Sequence, residues 1–162
     1  MAKTRDGFGI FVAPYANPLA GEWTDAADAV ETFAAVYKRA NGGDVGLMDY
    51  ELPGCNELTQ PETVVALAEA AETHGIDEWR AFVKWDDGPL NSEGDVWEAS
   101  RRFEDSYRGQ WDSDADYAYH FAEACMEVPE GLWAYLDFDA IFRDLPVYAV
   151  TVNHRRFYFW TE

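Results

Sequence analysis

The spacing of apolar residues predicts two strands with a helix between them in the first third of the chain. Gly9–Ala13 and Asp44–Glu51 have the β-favouring composition of strands. Between them, Thr24 is predicted to cap a helix that continues to about Ala40. This helix has apolar residues at the spacing of a buried stripe, at Val30, Phe33, Ala34 and Tyr37. Residues 1–57 are therefore predicted to form an N-terminal αβ domain.

The middle of the chain is predicted to be helical. Thr59 begins a capping-box sequence, which predicts a helix whose buried face carries Val64, Leu67, Ala68 and Ala71. Ile76–Trp85 and Asp95–Tyr107 have the periodicity of two further helices. Residues 58–105 are therefore predicted to form a central helical domain.

The last third is predicted to combine helices with a terminal β-hairpin. Ser113 is the predicted N-cap of a helix that ends near Glu127. Two further helical segments are predicted, over Pro129–Leu136 and Asp137–Leu145. Two strands around a turn are predicted after them, over Val147–Val152 and Arg155–Trp160. Residues 106–162 are thus predicted to form a C-terminal αβ domain, and the predicted fold class is α+β with antiparallel strands.

The charge of the chain is strongly unbalanced. Its 162 residues include 31 Asp and Glu against 12 Lys and Arg, a formal net charge of −19. Such a surface repels phosphates and anionic lipids, which excludes a conventional nucleic-acid or membrane-surface binder and favours a basic partner. Ala40–Trp79 has nine acids and no Lys or Arg, and Phe103–Phe142 has ten acids and one base. The surface is therefore predicted to carry a strong negative field.

No sequence motif indicates catalysis or metal binding. Four acids between Asp112 and Glu123 fit ligand positions of an EF-hand loop, but Tyr117 stands where the turn of that loop needs glycine. Zinc-ligand spacing, a nucleophile elbow and a phosphate loop do not occur. We therefore predict no catalytic, cofactor-binding or metal-binding residue, and no enzymatic activity.

Cysteine content and hydropathy predict a soluble cytoplasmic protein. Cys55 and Cys125 are too few for a disulfide scaffold and are typical of a reduced compartment. The N-terminus lacks the pattern of a signal peptide, and no apolar run reaches the roughly 18 residues of a membrane span.

Three hypotheses account for the excess of acids: adaptation to high salt, buffering of cations, or presentation of the field to a basic partner. Nine Arg against three Lys favours salt adaptation, whereas 16% aromatic residues does not. A basic partner can be one that normally binds DNA. At the charge spacing of duplex DNA, roughly 1.7 Å per charge, the 31 carboxylates would extend on the order of 50 Å, or about fifteen base pairs.

Four segments of the chain carry a family resemblance. They are GEWTDA (Gly21–Ala26), LMDYE (Leu47–Glu51), FEDSYRGQWDS followed by DYA (Phe103–Ser113 and Asp116–Ala118), and YLDFDA through RDL (Tyr135–Leu145). In order and spacing they resemble the ArdA family of antirestriction proteins, which are DNA mimics carried by mobile genetic elements.

The resemblance implies an elongated chain of three small domains (αβ, helical, αβ) and a homodimer joined through the C-terminal domains. It also implies an inhibitor without cofactors, which binds the methyltransferase core of type I restriction–modification enzymes and blocks their access to DNA. The basic hairpin at Arg155 and Arg156 departs from the family pattern and leaves the dimer geometry open.

On this hypothesis many individually weak carboxylate contacts replace contacts to phosphates. The alternatives are an acidic adaptor for another basic protein, a salt-adapted protein without mimicry, or an enzyme of unrecognised class, and any single acid can be an ordinary solvated residue. The predicted DNA-mimic surface comprises Asp44, Asp49, Glu51, Glu57, Glu62, Glu69, Glu72, Asp77, Glu78, Asp86, Asp87, Glu104, Asp105, Asp112, Asp114, Asp116, Glu123, Glu127, Asp137 and Asp139. Five aromatic residues are predicted to serve packing instead: Trp23, Tyr107, Trp111, Tyr117 and Tyr135.

Overall fold

The structure, a computed structural model, describes residues 4–161. The chain divides into two compact units, the first ending at Arg102 and the second beginning at Phe103. Each unit contains helices and a three-stranded antiparallel sheet. The predicted α+β class with antiparallel strands is therefore confirmed, whereas the division into three domains stays a prediction.

The first sheet consists of β1 (Gly9–Pro14), β2 (Glu22–Asp25) and β3 (Val45–Tyr50), in the order β2-β1-β3. β1 is the central strand, and its β-branched side chains Ile10 and Val12 are fully buried. The two strands predicted from composition are thus confirmed, and the sheet gains a short third strand that the pattern did not predict.

Helix α1 (Ala29–Arg39) packs on this sheet through its buried residues Ala29, Thr32 and Val36. The predicted N-cap of the helix, Thr24, lies instead in β2, because its segment pairs with β1 as an edge strand. Asp25 accepts a hydrogen bond from the Ala27 N–H and caps a 3-10 turn that leads into α1. The predicted helix start was therefore several residues too early.

Three helices follow: α2 (Pro61–His74), α3 (Ile76–Trp85) and α4 (Glu93–Ser106). The last four residues of α4 belong to the second unit. The bounds predicted for α3 are confirmed. Trp79 and Phe82 of α3 are fully buried and lie with their ring centroids 5.2 Å apart. The buried face predicted for α2 is also confirmed, at Val64, Leu67, Ala68 and Ala71.

Helix α2 begins without the predicted capping box. The Thr59 hydroxyl accepts a hydrogen bond from the Asn56 N–H and closes the turn before the helix. Gln60 takes the N-cap position without a side-chain bond, and Pro61 follows as the first helical residue. Because proline has no N–H to satisfy and a fixed φ, it starts the helix without a side-chain cap.

The sheet of the second unit has the order β4-β6-β5, from β4 (Tyr107–Trp111), β5 (Val147–Val152) and β6 (Arg155–Trp160). The predicted hairpin of β5 and β6 is confirmed. β4 was not predicted, because the helical periodicity of the preceding segment continues through Tyr107. The helix ends at Ser106 instead, and the chain pairs with β6.

Helices α5 (Asp114–Cys125) and α6 (Phe138–Asp144) lie between the strands in sequence, separated by a 3-10 turn at Glu130–Tyr135. The Ser113 hydroxyl accepts a hydrogen bond from the Asp116 N–H, so the predicted N-cap of α5 is confirmed. None of the helices between residues 4 and 161 combines the length and the apolar character needed to cross a membrane.

The core of the second unit is aromatic. Tyr117 of α5 stacks on Tyr158 of β6, with ring centroids 5.2 Å apart, and both rings are buried. Tyr107 and Trp111 are half-buried. Trp23 is 46% exposed within its unit, with its ring centroid 5.5 Å from that of Phe11, and Tyr135 is 84% exposed within its unit. Neither belongs to a core, and a role of either in packing between domains stays a prediction.

An arginine–aspartate pair fastens the segment before β1 to the end of β2. Arg5 Nε and Nη2 each donate a hydrogen bond of 2.9 Å to the carboxylate of Asp25. These bonds, together with that from the Ala27 N–H, lower the pKa of Asp25 to about 2. Because the folded state favours the ionised carboxylate, its contribution to stability is complete above about pH 4 and is lost as the pH falls toward 2.

We expect Asp25→Asn to lower the free energy of unfolding by roughly 1–2 kcal/mol at neutral pH, a value reduced by the solvent exposure of Arg5. In urea denaturation, the difference from wild type should persist to about pH 4 and shrink at lower pH. The matched control is Asp28→Asn, at an exposed residue without a side-chain capping bond. An equal loss in both variants, or a difference independent of pH, would contradict this role for Asp25.

Candidate protein-binding surface

All acids of the predicted surface reach solvent. Fifteen of the twenty are exposed, and the other five are half-buried: Asp77, Glu78, Asp86, Asp114 and Asp116. This distribution follows from the large cost of burying an unpaired carboxylate. The acids are therefore accessible, while their contact with a partner stays a prediction.

An open cleft of about 500 Å³ lies in the first unit, between α1, the start of β3 and the loop before α2. Three acids of the predicted surface line it, namely Asp44, Glu57 and Glu62. Its apolar wall includes Tyr15, Val30, Phe33, Tyr37 and Leu58. We call it the first cleft.

A second cleft, of about 150 Å³, adjoins the first. The two clefts share Val30 and Glu62, and the second is also lined by Glu69, Glu93 and the 60% exposed indole of Trp97. Glu93 was not part of the predicted surface, because it lies outside the two base-poor stretches, 40–79 and 103–142, that contain eighteen of the twenty predicted acids. The structure thus brings together four acids of the predicted set and one that was missed.

The apolar stripe of α1, predicted to be buried, forms a wall of the first cleft instead. Val30 and Tyr37 are 42% and 53% exposed, Ala34 is exposed and Phe33 is half-buried. The face that packs on the sheet carries the smaller residues Ala29, Thr32 and Val36. The prediction is wrong because periodicity identifies an apolar face of a helix without showing what covers it.

Besides Glu72, which lies 3.3 Å from Arg5 Nη1, two acids of the predicted surface are paired with arginines. Arg102 Nη2 lies 2.8 Å from the Asp86 carboxylate, and Arg156 Nη2 lies 2.7 Å from that of Asp114. Asp114 also accepts a hydrogen bond of 2.8 Å from the Tyr158 hydroxyl. Burial raises the pKa of Tyr158 to about 12, so the hydroxyl remains a donor. These acids stabilise the fold and are less available to a partner than unpaired ones.

Other predicted acids make local contacts. The Asp137 carboxylate accepts a hydrogen bond from the Ala140 N–H and caps α6. His120 lies 3.5 Å from Asp116 and 3.8 Å from Glu123 on the exposed side of α5. Further exposed acids of the second unit are Glu104, Asp105, Asp112, Glu127 and Asp139.

Several side chains that could act as nucleophiles, bases or metal ligands are buried or hydrogen-bonded within the fold. Burial raises the pKa of the Cys55 thiol to about 12, so it stays protonated. His74 Nε2 and the Ser100 hydroxyl form a hydrogen bond of 2.5 Å between α2 and α4. Within the part of the chain that the structure describes, no group of three or more His, Cys, Asp or Glu is placed to hold a metal ion.

The family model of the antirestriction protein ArdA matches residues 12–156, nearly the whole chain. The chain belongs to the ArdA family. The ArdA match includes both clefts and all twenty acids of the predicted surface. It assigns the chain to a family of antirestriction proteins and not to a family of enzymes. A comparison with curated proteins finds no match to the sequence.

Paired and unpaired acids of this ArdA protein should differ in their effect on stability. We expect Asp114→Asn to lower the free energy of unfolding by roughly 1–2 kcal/mol, because it weakens the bonds from Arg156 and Tyr158. Glu69→Gln should change the free energy of unfolding by about 0.5 kcal/mol or less. We expect this change to be an increase, because the substitution relieves repulsion between carboxylates. Urea unfolding measures both values. An equal destabilisation by the two substitutions would contradict the distinction.

Proposed function

We propose that this ArdA protein inhibits type I restriction–modification enzymes by occupying the DNA-binding groove of their methyltransferase core. Membership of the family supports antirestriction activity. The observation that carries the mimicry is the placement of charge: at a net charge of −19, every Asp and Glu between residues 4 and 161 is exposed or half-buried. The surface therefore offers a basic groove many accessible anionic acceptors.

A carboxylate can replace a phosphate because both present ionised oxygen acceptors to Lys and Arg. DNA-binding proteins use contacts to phosphates for position and affinity, and these contacts carry no sequence information directly. A surface that supplies only charge can therefore compete for them. The inhibitor needs no cofactor and no chemical step, and a homodimer through the C-terminal residues would double the acidic surface.

The deciding experiment is competition for a purified type I methyltransferase between this protein and duplex DNA. Displacement of labelled DNA is the expected result. Binding of another basic protein without displacement would favour an acidic adaptor. Unfolding on dilution into low salt would favour a salt-adapted protein.

Loss of affinity should depend on how many carboxylates are removed. We expect Glu123→Gln alone to change the dissociation constant less than about threefold, because exposed ion pairs are individually weak. Neutralising six exposed acids of the second unit should weaken binding about 30- to 300-fold. The six substitutions are Glu104→Gln, Asp105→Asn, Asp112→Asn, Glu123→Gln, Glu127→Gln and Asp139→Asn.

Fluorescence anisotropy of the labelled duplex measures this displacement. The sixfold variant should be at least as stable to urea as wild type, because it has less charge repulsion, and its gel-filtration volume should match. These two results exclude a loss of fold or assembly as the cause. If one substitution alone abolished displacement in a folded protein, a distributed surface would be the wrong explanation.

Salt should distinguish fixed carboxylates from a DNA duplex. Binding of DNA releases condensed counterions, so its affinity falls steeply with salt. Carboxylates on a folded chain are less densely spaced, and we expect the affinity of this protein to fall less steeply between about 50 and 200 mM NaCl. The concentration needed to displace half of the DNA should therefore decrease as salt rises. An increase would contradict the proposal that carboxylates spaced more widely than phosphates compete for the groove.

A further inference from the structure

We propose that the first cleft receives an arginine side chain from the enzyme that this protein inhibits. The inference rests on the proposed function and adds a defined subsite to a diffuse charge interaction. Imitation of phosphates requires exposed carboxylates, but it does not require an apolar cleft beside them. The uncovered stripe of α1 therefore needs a second explanation.

Two tyrosines of the first cleft present their rings to solvent, and the backbone fixes the position of one of them, Tyr15. The ring of Tyr15 packs directly over Gly46, where any Cβ would overlap it. The Tyr15 N–H also donates a hydrogen bond of 3.0 Å to the Asp44 carbonyl. Tyr37 extends from α1 toward the turn at Gly42. Both rings are about half exposed, so their surfaces are available without rearrangement of the chain.

The charge of both clefts is uniformly negative. Asp44, Glu57 and Glu62 line the first cleft, and no ion pair engages any of them within residues 4–161. Neither cleft is lined by a Lys or Arg within the same part of the chain. A ligand that fits must therefore carry positive charge and also tolerate contact with aromatic rings.

Arginine meets both requirements better than lysine. Its guanidinium is planar and weakly hydrated, stacks on aromatic rings, and can bind a carboxylate through two parallel hydrogen bonds. The lysine ammonium is compact and strongly hydrated, so it loses more on entering an apolar cleft. A second copy of this chain is a poor occupant, because its own charge of −19 would be brought against the same acids.

Substitution of Tyr37 tests the cleft through inhibition. In competition with duplex DNA, Tyr37→Leu should weaken binding about tenfold, because it keeps an apolar residue but removes the ring. Tyr37→Phe should retain nearly full affinity. Leu19→Ala is the matched control, since Leu19 is 95% exposed in the same unit and lines neither cleft.

The loss in Tyr37→Leu should remain at high salt, because contact with the ring is screened less than the long-range attraction between charges. Wild-type affinity of Tyr37→Leu, or an equal loss in Leu19→Ala, would overturn the inference. Because Tyr37 is half exposed, a normal urea unfolding curve is expected for both variants.

A second test does not need the enzyme. The full chain is titrated with N-acetyl-arginine amide, and with the lysine and citrulline analogues, while NMR signals are followed. At millimolar concentrations the arginine probe should shift the signals of Tyr15, Tyr37 and Gly46, and the neutral citrulline analogue should not. The triple variant Asp44→Asn, Glu57→Gln, Glu62→Gln should lose the shifts.

Equal shifts with citrulline or lysine, or arginine shifts spread over all exposed acids, would overturn the arginine subsite. The two proposals fail separately. Local arginine binding without displacement of DNA would overturn the proposed function and support the cleft, whereas displacement unaffected by Tyr37→Leu would overturn the cleft and support mimicry.

Discussion

Mutual repulsion among carboxylates is the constraint on which the rest of this structure depends. The chain has 12 bases and 31 acids. Several of the bases form ion pairs that join segments distant in sequence. The pairs Arg5–Asp25, Arg102–Asp86 and Arg156–Asp114 link residues 20, 16 and 42 positions apart. Each pair removes one carboxylate from the field and fastens two segments together. The acids left over lie at the surface, where solvent reduces their repulsion.

The aromatic content of the chain follows from the same constraint. Because surface charge adds little to the stability of this fold, its stability depends on the hydrophobic cores. Each of the two units is small, so each core has few residues. Large flat side chains bury the most apolar area per residue, and the largest fully buried ones are Trp79, Phe82, Phe157, Tyr158 and Phe159. This explains why 16% aromatic residues and a net charge of −19 occur in one chain.

Local sequence patterns were sufficient to predict the bounds of elements whose ends are marked by glycine, proline, a turn or a capping residue. α3 and the terminal hairpin have the predicted bounds, and Ser113 caps α5 as expected. β2 and β4 were missed because each is a short edge strand, and β4 in addition depends on a partner, β6, that is distant in sequence. For the candidate surface, charge alone predicted that the acids are exposed. It could not predict the clefts, which depend on which face of α1 meets the sheet.

The exposed stripe of α1 and the excess of acids are therefore connected. An uncovered apolar cleft on a neutral protein promotes association between copies. Here Asp44, Glu57 and Glu62 surround the apolar wall, and the whole chain is anionic, so two such clefts repel each other. The same charge attracts a basic groove. On the proposed function, the negative field thus has two physical consequences: it attracts a cationic partner to the surface, and it keeps the apolar cleft of one copy from being covered by that of another.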